Sequence, residues 1–412
     1  MVTIKGFKAL RPKVEFVKDT ASLPYDVVNS EEAREIVKKN PKSFMTVERG
    51  EVNLAKGIDI YSNEVYNASK ESLNRLINEG IYIEEEKESL YIYRQISDKF
   101  TQTGLVSCSS VDDYLNNIVK KHEKVRGEKL EDRVRHIDEC NAQTGIIFLV
   151  YKKNIELENI IKEYTNSKPI YNFISDDNIT HMIWKIDDEV ISNKIIKLFK
   201  EMNSVYIADG HHRTEGASRV ALKRRGTSYV RKKVESDYFL SIAYSENDIR
   251  ILDYNRKVFG LNGLSEKSFI EKVKENFKVT VSYNNEAIKP KKKHVFGMCL
   301  NGKWYKLEAN ECLYKDKSNI DSLDVSVLQD NLLSSVLGIE DATKSKKIKF
   351  IGGLDTIKEL EKVDINNDVV SFSLYPVSME EIINIADEGQ IMPPKSTWFD
   401  PKPRVGILIH KI

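Results

Sequence analysis

The sequence predicts a mixed α+β fold, because apolar runs with strand character alternate with stretches of helical spacing along the whole chain. Gly145–Tyr151 and Tyr238–Tyr244 are the clearest strand-like runs, since both are apolar, uncharged and rich in β-branched or aromatic residues. The chain has 412 residues, of which 41% are hydrophobic, enough to build buried cores for two or three domains. We therefore expect mixed sheets covered by helices.

The first 140 residues combine short extended segments with helices. Ser30 precedes an acidic first turn, which predicts a capped helix start. Apolar spacing predicts a second helix over residues 69–79. Two apolar segments, 81–83 and 90–93, predict paired strands. A charge-rich helical stretch is expected over 111–137.

The central region, residues 141–260, begins with the strand Gly145–Tyr151. Ser204–Ala208 predicts a further strand, and a helix follows it, ending in a basic cluster and Gly226. Tyr238–Tyr244 and Arg250–Leu252 predict a hairpin. Residues 261–412 again mix helices and strands. No repeat or flexible linker interrupts the chain, so we expect three regions: 1–140, 141–260 and 261–412.

Composition and charge restrict the class of partner. Lys and Arg number 64 against 63 Asp and Glu, giving a net charge of +1, so no global field favours nucleic acid or an anionic membrane. An apolar run of about 18 residues and a signal segment are both lacking, which makes a cytoplasmic location the expectation. The 4 cysteines show no CxxC pair, which disfavours a zinc or disulfide framework.

The most informative segment is the polar cluster that follows the predicted strand Ser204–Ala208. It contains Asp209, Gly210, His211, His212 and Arg213 at a strand-to-helix turn. A helix start suits a phosphate, which Arg213 could clamp and either histidine could hydrogen-bond. Asp209 repels a phosphate unless Mg²⁺ or a substrate hydroxyl proton lies between them, which indicates phosphoryl transfer. The alternative is a capped turn in which the histidines make ordinary hydrogen bonds.

A second phosphate-binding candidate lies near the C-terminus. Gly389–Ser396 approaches the GxxxxGK[ST] pattern, but Pro394 replaces the last glycine and has no N–H to donate, so we do not expect a P-loop. Lys395, Ser396 and Thr397 could still supply an ammonium and two hydroxyls to a phosphate from an extended loop. The alternative is a structural tail braced by prolines.

A third cluster of ionisable residues lies within the predicted helical stretch. His122 and Glu123 begin an HExxH-like pattern, but Arg126 replaces the second histidine, so no zinc site is predicted. Arg133 and His136 share one helix face. The alternative is a solvated, salt-bridged face. His181 is expected to be a packed histidine.

A kinase also needs a general base. Asp26 follows Pro24 in a predicted turn, and Glu51 stands beside an arginine. The residues alone do not choose among Asp26, Glu51, Glu123 and Asp209.

Six ordered segments together resemble the family of the domain of unknown function 1015. They are Phe7–Pro12, Pro24–Val28, Gln102–Gly104, Lys121–Glu123 followed by Asp132–Arg133, Asp209–Arg213, and Met392–Phe399. The central turn also resembles that of the ParB/sulfiredoxin-like nucleotide-binding fold, which includes free L-serine kinases. The chain departs from the family pattern at Gly50, Val125 and Asn255, where proline, threonine and histidine are usual.

The resemblance implies a Mg²⁺-dependent kinase that transfers a phosphoryl group from ATP, or from ADP, to free L-serine. The implied catalytic residues are Asp209, which would also bind the metal, Glu123 or Glu51 as base, and His212. Phosphate contacts are implied for Gly210, His211, His212, Arg213, Lys395, Ser396 and Thr397. Substrate contacts are expected at Asp26, His122 and Arg133.

Two other functions stay open at the level of sequence. One is a ParB-like regulator that uses nucleotide as a switch, although no basic DNA-reading element is evident. The other is a nucleotide hydrolase or phosphatase in which water is the nucleophile at the same turn. The oligomeric state is not predicted.

Overall fold

The computed structural model describes residues 1–125, 127–226, 233–364 and 368–412, so that Arg126 of the HExxH-like pattern lies outside the described residues. The strands along the chain are β1 (Ile4–Lys5), β2 (Ala9–Pro12), β3 (Tyr82–Glu84), β4 (Leu90–Ile96), β5 (Thr101–Ser110), β6 (Val119–Lys120), β7 (Ala142–Gln143), β8 (Ile147–Tyr151), β9 (Tyr171–Ile174), β10 (Thr180–Ile186), β11 (Val205–Asp209), β12 (Tyr238–Ser245), β13 (Ile251–Leu252), β14 (Tyr254–Phe259), β15 (Phe277–Val281), β16 (Val295–Leu300), β17 (Lys303–Ala309), β18 (Ile348–Gly352), β19 (Val369–Ser373), β20 (Trp398–Phe399) and β21 (Ile409–Lys411).

The α-helices are α1 (Val17–Thr20), α2 (Ser30–Lys39), α3 (Met45–Glu48), α4 (Asn63–Asn78), α5 (Val111–Leu115), α6 (Gly127–Cys140), α7 (Ile155–Tyr164), α8 (Glu189–Glu201), α9 (His211–Arg225), α10 (Glu266–Asn276), α11 (Asp324–Leu328), α12 (Ile357–Leu360) and α13 (Met379–Asp387). The mixed α+β class predicted from the sequence is confirmed.

The chain divides into two compact units. Unit 1 comprises residues 1–121, 125–249 and 401–412, and unit 2 comprises 122–124 and 250–400. The last segment of the chain thus belongs to the same unit as the first. The three regions predicted from the sequence, 1–140, 141–260 and 261–412, stay a prediction.

The main sheet of unit 1 has the order β6-β11-β8-β12-β5-β4-β10-β9 across the described residues, and β1 pairs with the end of β5. β11 runs parallel to β6, and β12 runs parallel to β8, whereas the other pairs are antiparallel. Apolar side chains of β8 and β11, such as Leu149 and Ile207, pack with Phe199 of α8 and Val220 of α9 in one core. This core fixes the strand that leads into the polar turn.

Helix α9 packs closely against α6 because small residues line their contact. A Cβ at Gly216 would lie only 3.3 Å from the Cβ of Arg133. At the other end of the contact, Asp138 of α6 pairs with Lys223 at 2.6 Å and with Arg224 at 3.0 Å. The close approach brings Arg133 beside the first turns of α9.

A smaller sheet of unit 1 joins the two ends of the chain, in the order β3-β2-β21-β7 within the described part. Ala9 of β2 pairs with His410 of β21, and His410 pairs in turn with Gln143 of β7. The C-terminal strand is therefore an interior strand of this sheet.

Unit 2 is built on an antiparallel sheet in the order β15-β17-β16-β19-β14-β18, with β13 paired to β20 separately among the described residues. Trp304 and Ile351 pack with Cys299 and Leu360 on one of its faces.

Several local predictions need correction. Asn29, not Ser30, is the N-cap of α2, where it forms a capping box with Glu32. The segments 81–83 and 90–93 do not pair with each other, because β3 pairs with β2 while β4 lies between β5 and β10. The stretch 111–137 is not one helix, since α5 ends before Asn117, whose φ is 57°, and α6 begins at Gly127.

The predicted hairpin of Tyr238–Tyr244 with Arg250–Leu252 is also wrong. β12 is flanked on both sides, by β5 and β8, and β13 pairs instead with Trp398–Phe399. Within the described residues no helix is both long and apolar enough to cross a membrane.

Candidate active site

The strand-to-helix turn predicted from the sequence is confirmed. β11 ends at Asp209, Gly210 follows with φ 98° and ψ 27°, and α9 begins at His211. Thr214 N–H donates to the Gly210 carbonyl at 2.9 Å, so Gly210 rather than Asp209 is the N-cap residue. The pairing of β11 with β8 shifts by one residue between Ile207 and Asp209. Such a bulge re-aims the side chain that follows it, and here that side chain is Asp209.

The Arg213 side chain lies in a slot between two glycines. A Cβ at Gly145 would lie 3.0 Å from the Arg213 Cδ, and a Cβ at Gly210 would lie 3.2 Å from its guanidinium. Arg213 donates to the Ile146 carbonyl and, at 3.1 Å, to Asp209 Oδ2, and the side chain is 11% exposed. The guanidinium is therefore fixed at the first turn of α9.

Lys402 joins this turn from the C-terminal segment of unit 1. Its ammonium lies 3.0 Å from Asp26 Oδ2 and 3.3 Å from Asp209 Oδ2. Burial alone would lower the pKa of Lys402, but the charges of Asp209 and Asp26 outweigh burial and raise this pKa. Asp26, Lys402, Asp209 and Arg213 thus form a row of alternating charges, which we call the charge array.

Two buried glutamines fix the backbone that carries Lys402. Gln102 donates to the Pro401 carbonyl at 2.7 Å and to the Gln95 side-chain oxygen at 2.8 Å. Gln95 donates to the Lys402 carbonyl at 3.1 Å. Buried amide donors with satisfied partners rigidify the segment they bind. The family segment Gln102–Gly104 therefore has a structural explanation, because its glutamine anchors the chain next to Lys402.

A cleft of about 730 Å³ lies beside Asp26 in unit 1, and its lining includes Glu48, Glu51 and Arg133. Arg133 pairs with Asp132 at 2.7 Å, and its guanidinium lies 3.8 Å from the ring centroid of Tyr25. The cleft thus contains charges of both signs.

Glu48 and Arg133 also line a smaller cavity of about 330 Å³, which Arg213 borders. Glu48 is 3% exposed and accepts a hydrogen bond from Thr144 Oγ1 at 2.5 Å. Its carboxylate lies 3.8 Å from the Arg133 guanidinium. Glu48 and Arg133 therefore stand between the cleft and the first turn of α9.

Glu51 is held at the cleft by a short polar network. Its Oε1 accepts hydrogen bonds at 2.9 Å from both Arg49 and Ser30. Gly50 is needed beside it, because a Cβ there would collide with the Val65 carbonyl of α4. This contact explains why the chain has a glycine at this position in its departure from the usual family pattern.

The structure assigns the predicted site residues to two units. Unit 1 contains Asp26, Glu51, Arg133 and the whole turn from Asp209 to Arg213, whereas unit 2 contains His122, Glu123, Lys395, Ser396 and Thr397. The expectation that His122 and Glu123 lie on a helix is wrong, because both precede α6 in an irregular segment. Their proposed roles stay predictions.

The Lys395 loop of unit 2 is extended, as expected from the failed P-loop pattern, and leads into β20 rather than a helix. Lys395 has φ 59°, and its carbonyl accepts a hydrogen bond from Arg256 at 3.0 Å. Ser396 is buried, and its hydroxyl donates to the Pro393 carbonyl at 2.6 Å. The phosphate-binding role of this loop stays a prediction.

Sequence reasoning missed Lys402 and Glu48. Lys402 stands between two prolines, and that rigid segment was the available signal for a fixed side chain. Glu48 shows no local signal, since it lies in the short helix α3 among apolar neighbours. His181 is a packed histidine as predicted: Tyr93 and Ser175 hydrogen-bond its two ring nitrogens at 2.7 and 2.8 Å.

Comparisons with known proteins identify a family. The model of the family described as protein of unknown function (DUF1015) matches residues 4–326. No curated protein matches the chain. Among solved structures, the C-terminally truncated SbnI of Staphylococcus aureus is similar at 12% identity with a TM-score of 0.39, covering 72% of this chain and 84% of that one.

A glutamate-to-alanine mutant of a free serine kinase in complex with AMP is similar at 16% identity with a TM-score of 0.36, covering 78% of this chain and 93% of that one. A conserved hypothetical protein of Pyrococcus furiosus reaches 15% identity and a TM-score of 0.33, covering 73% of this chain and 93% of that one. Similarity at these TM-scores carries no argument about activity or ligands, which have to be argued from the site.

Proposed function

The chain belongs to the family described as protein of unknown function (DUF1015), and we propose that it is a nucleotide-dependent kinase that phosphorylates the hydroxyl of free L-serine. The observation that carries the proposal is the charge array at the start of α9, next to a cleft of both charge signs.

The start of α9 would bind the phosphates of the nucleotide. α9 is a 15-residue helix, and the positive end of its dipole favours a phosphate at this position. Arg213 adds a fixed guanidinium beneath the turn, and His211 and His212 add imidazoles to the first turn. Phosphoryl transfer depends largely on such positioning and charge stabilisation.

Mg²⁺ is the metal whose chemistry matches the donors here. Asp26 and Asp209 direct carboxylate oxygens at a single ammonium, so both can face one cation. Mg²⁺ prefers one or two carboxylates, with substrate phosphates and water as its other ligands. When bound with the nucleotide, Mg²⁺ would neutralise charge on the phosphates.

The cleft beside Asp26 would bind the amino acid acceptor. Serine carries an ammonium and a carboxylate, and the carboxylates and guanidinium groups around the cleft complement both. In the reaction the serine hydroxyl oxygen forms a bond to the γ-phosphorus, the bond from this phosphorus to ADP breaks, and the hydroxyl proton passes to a carboxylate.

Glu51 is the base that we favour, because Arg49 and Ser30 fix its carboxylate at the edge of the cleft. Glu123 of unit 2 is the alternative. Lys395 would offset negative charge that develops on the phosphates. ADP as donor would give AMP instead of ADP, which product analysis distinguishes.

The direct test incubates the full chain with ATP, Mg²⁺ and L-serine and measures O-phosphoserine and ADP. We expect turnover by the wild type and a loss of about 100-fold or more in Asp209→Ala, because the residue that faces metal and phosphate is removed. Asp138→Ala is the matched control: Asp138 also pairs with two cations, Lys223 and Arg224, but on the helix pair α6–α9 away from the turn.

Phosphoserine formation no faster than in Asp209→Ala would refute the kinase. Free phosphate released without an acceptor would identify the hydrolase instead. Nucleotide binding without turnover, combined with salt-sensitive DNA binding in a gel shift, would favour the regulator.

A further inference from the structure

We infer that Asp26 and Asp209 form one cation-binding site that the ammonium of Lys402 occupies, and that Lys402 must leave this site before a divalent cation binds there. The inference extends the proposed function, on whose metal site it rests, but its test needs neither nucleotide nor turnover.

The geometry at Lys402 resembles that of a bound cation. One ammonium lies 3.0 Å from Asp26 Oδ2 and 3.3 Å from Asp209 Oδ2, with the Lys402 side chain only 14% exposed. The two carboxylates come from a turn near the N-terminus and from the end of β11, and Lys402 is the charge between them. A single cation therefore accounts for the close approach of two like charges.

A divalent cation and Lys402 exclude each other at this position. Asp209 Oδ2 already faces Arg213 at 3.1 Å in addition to Lys402. Arg213 is fixed by the Ile146 carbonyl and by the two glycines, so it has little room to withdraw. A metal at Asp209 would place a third cationic group on one carboxylate, and Lys402 is the group that can leave.

Lys402 can leave without movement of the backbone. Gln95 and Gln102 hold the carbonyls of Lys402 and Pro401, which keeps the main chain in place. The lysine side chain has four flexible carbons and needs only rotation about its own bonds to swing its ammonium away. The chain therefore supplies its own counterion to the metal site and exchanges it when a metal arrives.

The test is Mn²⁺ binding by the full chain without nucleotide, followed by electron paramagnetic resonance of the free ion. Lys402→Met removes the competing ammonium, and we expect the Kd for Mn²⁺ to fall at least about tenfold. Lys185→Met is the matched control, because Lys185 is a partly buried, ion-paired lysine bound to Glu85 at 2.7 Å. We expect no change in Mn²⁺ binding there.

Adding Asp26→Asn to Lys402→Met should reverse the gain. A folded Lys402→Met protein that binds Mn²⁺ no more tightly than the wild type would overturn the inference. So would a gain that survives the loss of Asp26.

A second measurement uses the wild type and does not depend on how the variants fold. Acetylation of Lys402 with a lysine-reactive ester, quantified by mass spectrometry, should rise several-fold as Mn²⁺ saturates, while Lys185 stays constant. Unchanged labelling of Lys402 at saturating Mn²⁺ would also overturn the inference. A chain that shows metal exchange but no phosphoserine would contradict the kinase alone.

Discussion

Gly210→Ala tests whether the position of Arg213 at the turn is essential. At φ 98° an L-residue is strained, and the added Cβ would lie 3.2 Å from three atoms of the guanidinium. The left-handed backbone alone costs about 1–2 kcal/mol for a residue other than glycine. For a unit of this size that loss lowers the Tm by about 2–8 °C. Because the guanidinium must also shift, we expect phosphoserine formation to fall about tenfold or more.

Gly80→Ala provides the matched control for Gly210→Ala. Gly80 also has a positive φ, 67°, but the nearest atom to an added Cβ is the flexible Lys13 Nζ at 3.5 Å. We expect a similar drop in Tm and a rate within about twofold of the wild type. Thermal unfolding and the phosphoserine assay are measured on both variants. If Gly210→Ala lost stability but kept the rate of Gly80→Ala, the assigned role of Arg213 would be wrong.

Two further variants test the anchor of Lys402 and the acid stability of unit 1. Gln102→Leu leaves two buried acceptors without donors, so we expect a loss of about 1–3 kcal/mol in urea unfolding and a rate about tenfold lower; an unchanged rate would show that the anchor does not position Lys402. Burial lowers the pKa of His181 to about 3, so its neutral form stabilises the fold above the unfolded pKa of about 6.5 and that contribution is lost as the pH falls towards 3. His181→Gln should therefore reduce the loss of unfolding free energy between pH 6.5 and 4 by about 3 kcal/mol, and an identical pH profile in urea unfolding would contradict this.

The local part of the site was predictable from the sequence. The apolar run before Asp209 and the single glycine after it specify a strand, a tight turn and a helix within a few residues. Arg213 follows at the spacing that places it on the first turn of that helix. These features depend on neighbours in sequence, which propensity and capping rules describe.

The remaining part of the site depends on contacts that sequence patterns do not encode. Lys402 reaches Asp209 across 193 residues and Asp26 across 376. The same limit explains the wrong strand pairs, because β12 finds partners on both edges and leaves none for the segment that follows it. By contrast, Asn116 and Asn117 were a visible signal for the break in the stretch 111–137.

The return of the last twelve residues to unit 1 has a consequence for biosynthesis. Both acidic members of the charge array are made early, but their shared cation arrives only when the ribosome has passed residue 402. A chain that stops at residue 400 would carry two facing aspartates without their lysine and a small sheet without its inner strand β21. Activity would thus be withheld until synthesis is nearly finished, and premature termination would yield an inactive product rather than a partly active one.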